Sequence, residues 1–115
     1  MIKVTIYIDQ QNRIERYNIT GHAGYDVEGK DIVCAAVSML GQTTLLALVK
    51  VCNIGEEKIE YLMDDKKGIL DVKIPTELDK DTRNKVETVF RTFEVGTQSI
   101  VENYPEYVTL KYREV

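Results

Sequence analysis

The sequence predicts an α+β fold of order ββαββαβ, a mainly antiparallel sheet with two helices packed on it. Three observations carry this. Ile2, Val4, Ile6 and Ile8 alternate with Lys3, Thr5, Tyr7 and Asp9, the pattern of a half-buried strand. That run and three others fall into two pairs, each separated by polar turn residues. Two long stretches repeat their apolar residues at helical spacing.

In chain order, Ile2–Ile8 is followed by the polar turn Asp9-Gln10-Gln11-Asn12 and a second, less regular strand from Arg13 to Thr20, together a hairpin. A glycine-rich segment then leads into a helix expected from about Ile32 to about Cys52. Val33, Ala36, Val37, Leu40, Ala47, Leu48 and Val51 follow helical spacing there. Ile32, Leu45, Leu46 and Val49 make the helix apolar on most sides, so it should be buried on more than one face, in the core or in an oligomer interface. Gly41 in its middle costs about 1 kcal/mol against alanine and marks a point of close packing. Asn53-Ile54-Gly55 ends it. Lys58 to Met63 and Ile69 to Ile74 alternate around the turn Asp64-Asp65-Lys66-Lys67-Gly68, and form a second hairpin closed by Pro75. Thr76 or Asp79 caps the second helix, with Val86, Val89, Phe90, Phe93, Ile100 and Val101 on one side and a dent expected at Gly96. Asn103-Tyr104-Pro105 stops it, because proline cannot continue a helix. Tyr107 to Arg113 is the last strand, with Val108, Leu110 and Tyr112 inward.

The 115 residues predict a single domain, 1–115, with 43% hydrophobic and 30% charged residues, enough to bury one core. A net charge of −4 argues against direct nucleic-acid binding, which wants a basic face. Gln42, Thr43 and Thr44 interrupt the longest apolar run, so no membrane span is expected. The N-terminus lacks the form of a signal peptide, which points to the cytoplasm. Two cysteines make no disulfide framework; at the two ends of one helix they lie roughly 27 Å apart.

The chemistry concentrates in residues 21–38. Gly21-His22-Ala23-Gly24 holds the protein's only histidine, and Gly29-Lys30-Asp31-Ile32-Val33-Cys34-Ala35-Ala36-Val37-Ser38 holds one of its two cysteines. Asp31 reads as a helix N-cap. Cys34 is then the third helical residue, beside free amides and the positive end of the helix dipole, which favour a thiolate. A thiolate-prone cysteine and a histidine on a glycine-flanked loop suffice for nucleophilic catalysis. Asp31 has a second reading, as the carboxylate that orients His22, with Asp26 the alternative orienter. Ser38, one turn beyond Cys34 on the same helical face, either lines the pocket or bonds to its own helix. Cys52 lacks the helix-start environment and reads as a core residue. One histidine, one cysteine and nearby carboxylates are too few for a structural zinc site, and neither phosphate-binding glycine spacing occurs, so neither metal nor cofactor is expected.

These two segments at this separation resemble the ribosomal-processing cysteine protease family (Prp), over the whole chain in length and element order. The resemblance implies a catalytic pair of Cys34 and His22, with Asp31 beside them as orienter or cap. Gly21, Ala23, Gly24 and Ser38 are the expected substrate-binding residues. The resemblance further implies a homodimer that removes a short N-terminal extension from the precursor of the twenty-seventh large-subunit ribosomal protein, cutting after paired aromatic residues. On this reading amides at the helix start, that of Cys34 included, hold the oxyanion. Two other classes compete: a thiol redox sensor, for which Cys52 is too distant to act as resolving partner, and a non-enzymatic ribosome-associated module, which the acidic total disfavours.

Overall fold

A computed structural model describes residues 1–21 and 28–115, the side chains of 28–31 excepted. The strands are β1 (Ile2–Ile8), β2 (Ile14–Thr20), β3 (Glu60–Asp64), β4 (Ile69–Lys73) and β5 (Val108–Glu114); the helices are α1 (Glu28–Lys50) and α2 (Lys80–Asn103). The order ββαββαβ stands, and a short 3₁₀ turn, Glu56–Lys58, precedes β3. The five strands form one sheet in the order β3-β4-β2-β1-β5. All neighbours are antiparallel except β1 and β5, which pair in parallel from Ile2–Val108 to Ile8–Glu114. That exception follows from connectivity: α2 carries the chain across the sheet, and a crossover of this kind returns a strand in parallel.

Local chemistry fixes the turns. The Asp9 carboxylate accepts from the amides of Gln11 and Arg13 at 2.8 and 3.0 Å, and Asn12 takes φ +63°. The irregular pattern of β2 is a β-bulge. Register slips between Tyr7 and Ile8, so that Ile14 and Tyr17, three residues apart, both face the core. Residues of α2 satisfy the backbone freed there: Glu87 accepts from the Ile14 amide at 3.0 Å, and Arg83, 8% exposed, donates to the Ile14 carbonyl at 2.6 Å. Asp79, not Thr76, caps α2, accepting from the Thr82 amide at 2.8 Å.

Both helices cover the same face of the sheet. Tyr17 donates its hydroxyl proton to the Gly41 carbonyl of α1 at 2.7 Å, while its ring packs against Phe90 and Phe93 of α2, with centroids 5.8 and 4.4 Å away. Gly41 is the close-packing point the sequence suggests: a Cβ there would lie 2.5 Å from Ile19 Cδ1 and 2.9 Å from Leu70 Cδ2. Gly96 plays the same part between the helices, against Leu40. The far face is polar, with Arg16 bridged to Asp71 at 2.7 Å and stacked 4.4 Å over the Tyr7 ring.

Three expectations need correction. The first helix runs one turn earlier than expected, from Glu28, and ends at Lys50. Beyond it Asn53, at φ +59°, and the bond from the Ile54 amide to the Leu48 carbonyl turn the chain away. Tyr112 is not buried: it reaches α2 by its hydroxyl, which donates to Glu94 at 2.6 Å, and its ring stays exposed. The segment Ile32–Lys50 is, by length and composition, apolar enough to cross a membrane despite its interruptions. In this fold it is a core helix, with Val33, Val37, Leu45 and Leu48 buried. The two kinds of helix share an all-round apolar pattern.

Candidate active site

Along one side of α1, Cys34, Ser38 and Gln42 recur every fourth residue and so stand one above the other. All three are partly buried, and all three line a cleft of about 120 Å³. Ile2 and Ile19 close it on the sheet side, and Met63, Asp64, Asp65 and Gly68 bound it at the β3–β4 turn. Gly21, where the chain leaves β2, lines the same cleft. Its amide donates to the Gly68 carbonyl at 3.0 Å, tying the two loops together. Gly21 has φ +113°, and a Cβ on it would collide with the Met1 carbonyl, so only glycine fits without strain.

The residues that the sequence singles out divide into three groups. Cys34, Ser38 and Gly21 meet in the cleft. His22, Ala23, Gly24 and Asp26 lie outside the described residues, as does the Asp31 side chain. The backbone of Asp31 is described, and it corrects the expected cap. α1 begins at Glu28, so Asp31 is already inside its first turn, and Cys34 is the seventh helical residue rather than the third. Acidic residues favour the first turn for the same electrostatic reason that they cap helices, so the sequence signal does not separate the two. Two consequences follow. The helix dipole acts mainly within the first turn and falls off before Cys34. The Cys34 amide is committed to the hydrogen-bond ladder of α1, and so is not a free donor for an oxyanion.

Ser38 also departs from the expected bond to its own helix. Thr44, Thr88, Thr92 and Thr97 each donate to the carbonyl four residues back, at 2.8 to 3.2 Å. The Ser38 hydroxyl instead accepts from the Gln42 side-chain amide at 2.9 Å. Gln42, Met63, Asp64 and Asp65 are cleft residues that sequence reasoning missed. Gln42 carries a legible signal, its four-residue spacing from Ser38. The turn residues carry none, because β4 pairing with β2 brings them there. Cys52 is buried and its thiol is pushed up by burial, in keeping with a core residue.

A partly buried cysteine facing a cleft, on a helix held by a sheet, is an arrangement open to the thiol chemistry of a cysteine hydrolase. Residues 1–109 match the family model described as cysteine protease Prp, and the chain belongs to that family. The ribosomal processing cysteine protease Prp of Staphylococcus aureus is 27% identical over 98% of this chain and 100% of its own length. The crystal structure of SMU.848 from Streptococcus mutans, 31% identical, superposes with a TM-score of 0.85 and covers 100% of this chain and 96% of its own. A structure of the S. aureus protease with a covalently linked product peptide is 27% identical, has a TM-score of 0.76, and covers 98% of this chain and 100% of its own. The present chain is a cysteine protease.

Proposed function

We propose that Cys34 is the nucleophile of this protease, that His22 is its general base, and that the substrate is the precursor of the twenty-seventh large-subunit ribosomal protein, from which it removes the N-terminal extension. One observation carries the catalytic assignment: Gly21, to which His22 is bonded, lines the same cleft as Cys34. The other cysteine is buried in the core and out of contention. The relatives' names, which specify ribosomal processing, support the substrate.

The chemistry then runs as follows. His22 takes the proton from the Cys34 thiol, and the sulfur attacks the scissile carbonyl carbon. The resulting imidazolium protonates the leaving amine, and water, deprotonated by the same imidazole, releases the acyl group from sulfur. Asp31 orients His22 in this scheme. Ala23 and Gly24 contribute backbone contacts to the peptide, beside Gly21 and Ser38.

The protein acts in the cytoplasm as a homodimer. Ile32, Met39 and Leu46 form an exposed stripe on α1, at 60%, 62% and 53% exposure, and a second copy is the partner we assign to it.

Incubation with the precursor followed by intact-mass measurement tests the assignment. Loss of the extension is expected with the wild type and with Cys52→Ala, and no loss with Cys34→Ser or His22→Ala. Processing by either of the last two variants would overturn it.

A further inference from the structure

We propose that Gln42 is a positioning residue which holds the Ser38 hydroxyl as a hydrogen-bond donor to a main-chain carbonyl of the bound peptide; this rests on the assignment of the cleft as the peptide site.

The direction of one hydrogen bond carries the argument. A glutamine side-chain nitrogen only donates, so in the 2.9 Å contact Gln42 Nε2 gives its proton and Ser38 Oγ receives it. A serine hydroxyl has one proton of its own to give. The four helical threonines described above spend theirs on the carbonyl one turn back, whereas Ser38 has no such bond. Its side chain leans toward the N-terminal end of α1, as helical side chains do, and so toward Cys34. Gln42 thus occupies the acceptor side of the hydroxyl, and among the described residues the Ser38 proton is given to no partner.

The cleft makes use of such a proton. Its walls include Ile2, Ile19, Val37, Met63 and Leu70, which offer no side-chain donor. Asp64 and Asp65 as carboxylates only accept. The Gly21 amide is spent on Gly68. A peptide seated here brings main-chain carbonyls that lose water, and an unpaired buried carbonyl is costly. Among the described side chains of the cleft, apart from the Cys34 thiol, two neutral donors remain, the second Nε2 proton of Gln42 and the Ser38 hydroxyl, and the hydroxyl is the one a turn nearer Cys34.

The test measures binding rather than cleavage, so that it stands or falls separately from the nucleophile assignment. A synthetic peptide spanning the precursor's processing site is titrated against the full-length protein in a Cys34→Ala background, where no turnover interferes. Ser38→Ala is expected to weaken binding about 3- to 10-fold, the worth of one net hydrogen bond. Gln42→Glu reverses the polarity: the carboxylate accepts the Ser38 proton, and affinity should fall to the Ser38→Ala level. Adding Ser38→Ala to Gln42→Glu should then cost nothing further. Ser38→Thr, which keeps the hydroxyl, should retain most of the affinity. Peptides with each carbonyl in turn replaced by a methylene should include one whose deficit is present with Ser38 and absent with Ser38→Ala. Thermal melts of all variants verify folding. Wild-type affinity in Ser38→Ala overturns the donor role. Wild-type affinity in Gln42→Glu with weak binding in Ser38→Ala overturns the positioning role of Gln42. If the peptide fails to bind the Cys34→Ala protein at all, the cleft is not the peptide site and the inference fails with it.

Discussion

The hydroxyl of Tyr17, buried in β2, donates to the carbonyl of Gly41 at the middle of α1 at 2.7 Å. The contact occurs where the helix backbone comes nearest the sheet, over Ile19 and Leu70. It sets the height and rotation of α1, and therefore where Cys34, seven residues earlier, meets the cleft. Burial pushes the Tyr17 phenol well above its usual range, so the hydroxyl keeps its proton and the bond across all working pH.

Gly41→Ala should destabilise the protein. The added methyl would press on Ile19 Cδ1 and Leu70 Cδ2, both in the buried core, at an overpacking cost of up to about 3 kcal/mol against the roughly 1 kcal/mol gained in helix propensity. Tyr17→Phe should cost about 0.5–1.5 kcal/mol for its hydrogen bond. Urea unfolding measures both. A Gly41→Ala protein as stable as wild type would show that the sheet yields to the helix at this point.

Gly21→Ala should lose at least about 1–2 kcal/mol, the penalty of a positive φ for a residue with a Cβ, with the collision against Met1 in addition. Turnover should fall further than stability, because the residue that leads into His22 is displaced. The kcat/KM of the purified, folded variant against the precursor decides it; an unchanged value would mean that the path of the chain at Gly21 does not matter to catalysis.

If Asp31 orients His22 as proposed, Asp31→Asn should leave the far-UV spectrum unaltered and lower kcat/KM, since an amide orients an imidazole without stabilising its positive form. Replacing a first-turn carboxylate costs about 0.3–1 kcal/mol of helix-dipole energy, too little to unfold the protein. Kinetics equal to wild type would leave a Cys-His dyad.

Acid should weaken the start of α2 through Asp79. The Thr82 amide and hydroxyl hold its carboxyl below the ordinary aspartate value. A depressed folded-state pKa contributes stability that is present above the unfolded value, near 3.9, and is lost as the pH falls through the folded one. The melting temperature of wild type should therefore drop more between pH 5 and pH 2 than that of Asp79→Asn, which caps without titrating. Parallel pH profiles for the two proteins would remove Asp79 from the acid response.

The sequence by itself determined the order of elements, because alternation and helical spacing report which face of each segment is apolar, and burial of that face is what folds the chain. It also determined the family, through the segments at Gly21–Gly24 and Gly29–Ser38, and marked Gly41 as a packing point. It misplaced the start of α1, because Asp31 satisfies the electrostatics of a cap and of a first turn alike. Only the tertiary structure decided that the β3–β4 turn faces Cys34, since that proximity arises from β4 pairing with β2, some fifty residues away in sequence. It alone decided the direction of the Gln42–Ser38 bond as well. Spacing brings two side chains onto one helical face, but which of them gives the proton depends on rotamers and on what the neighbouring strands leave unoccupied.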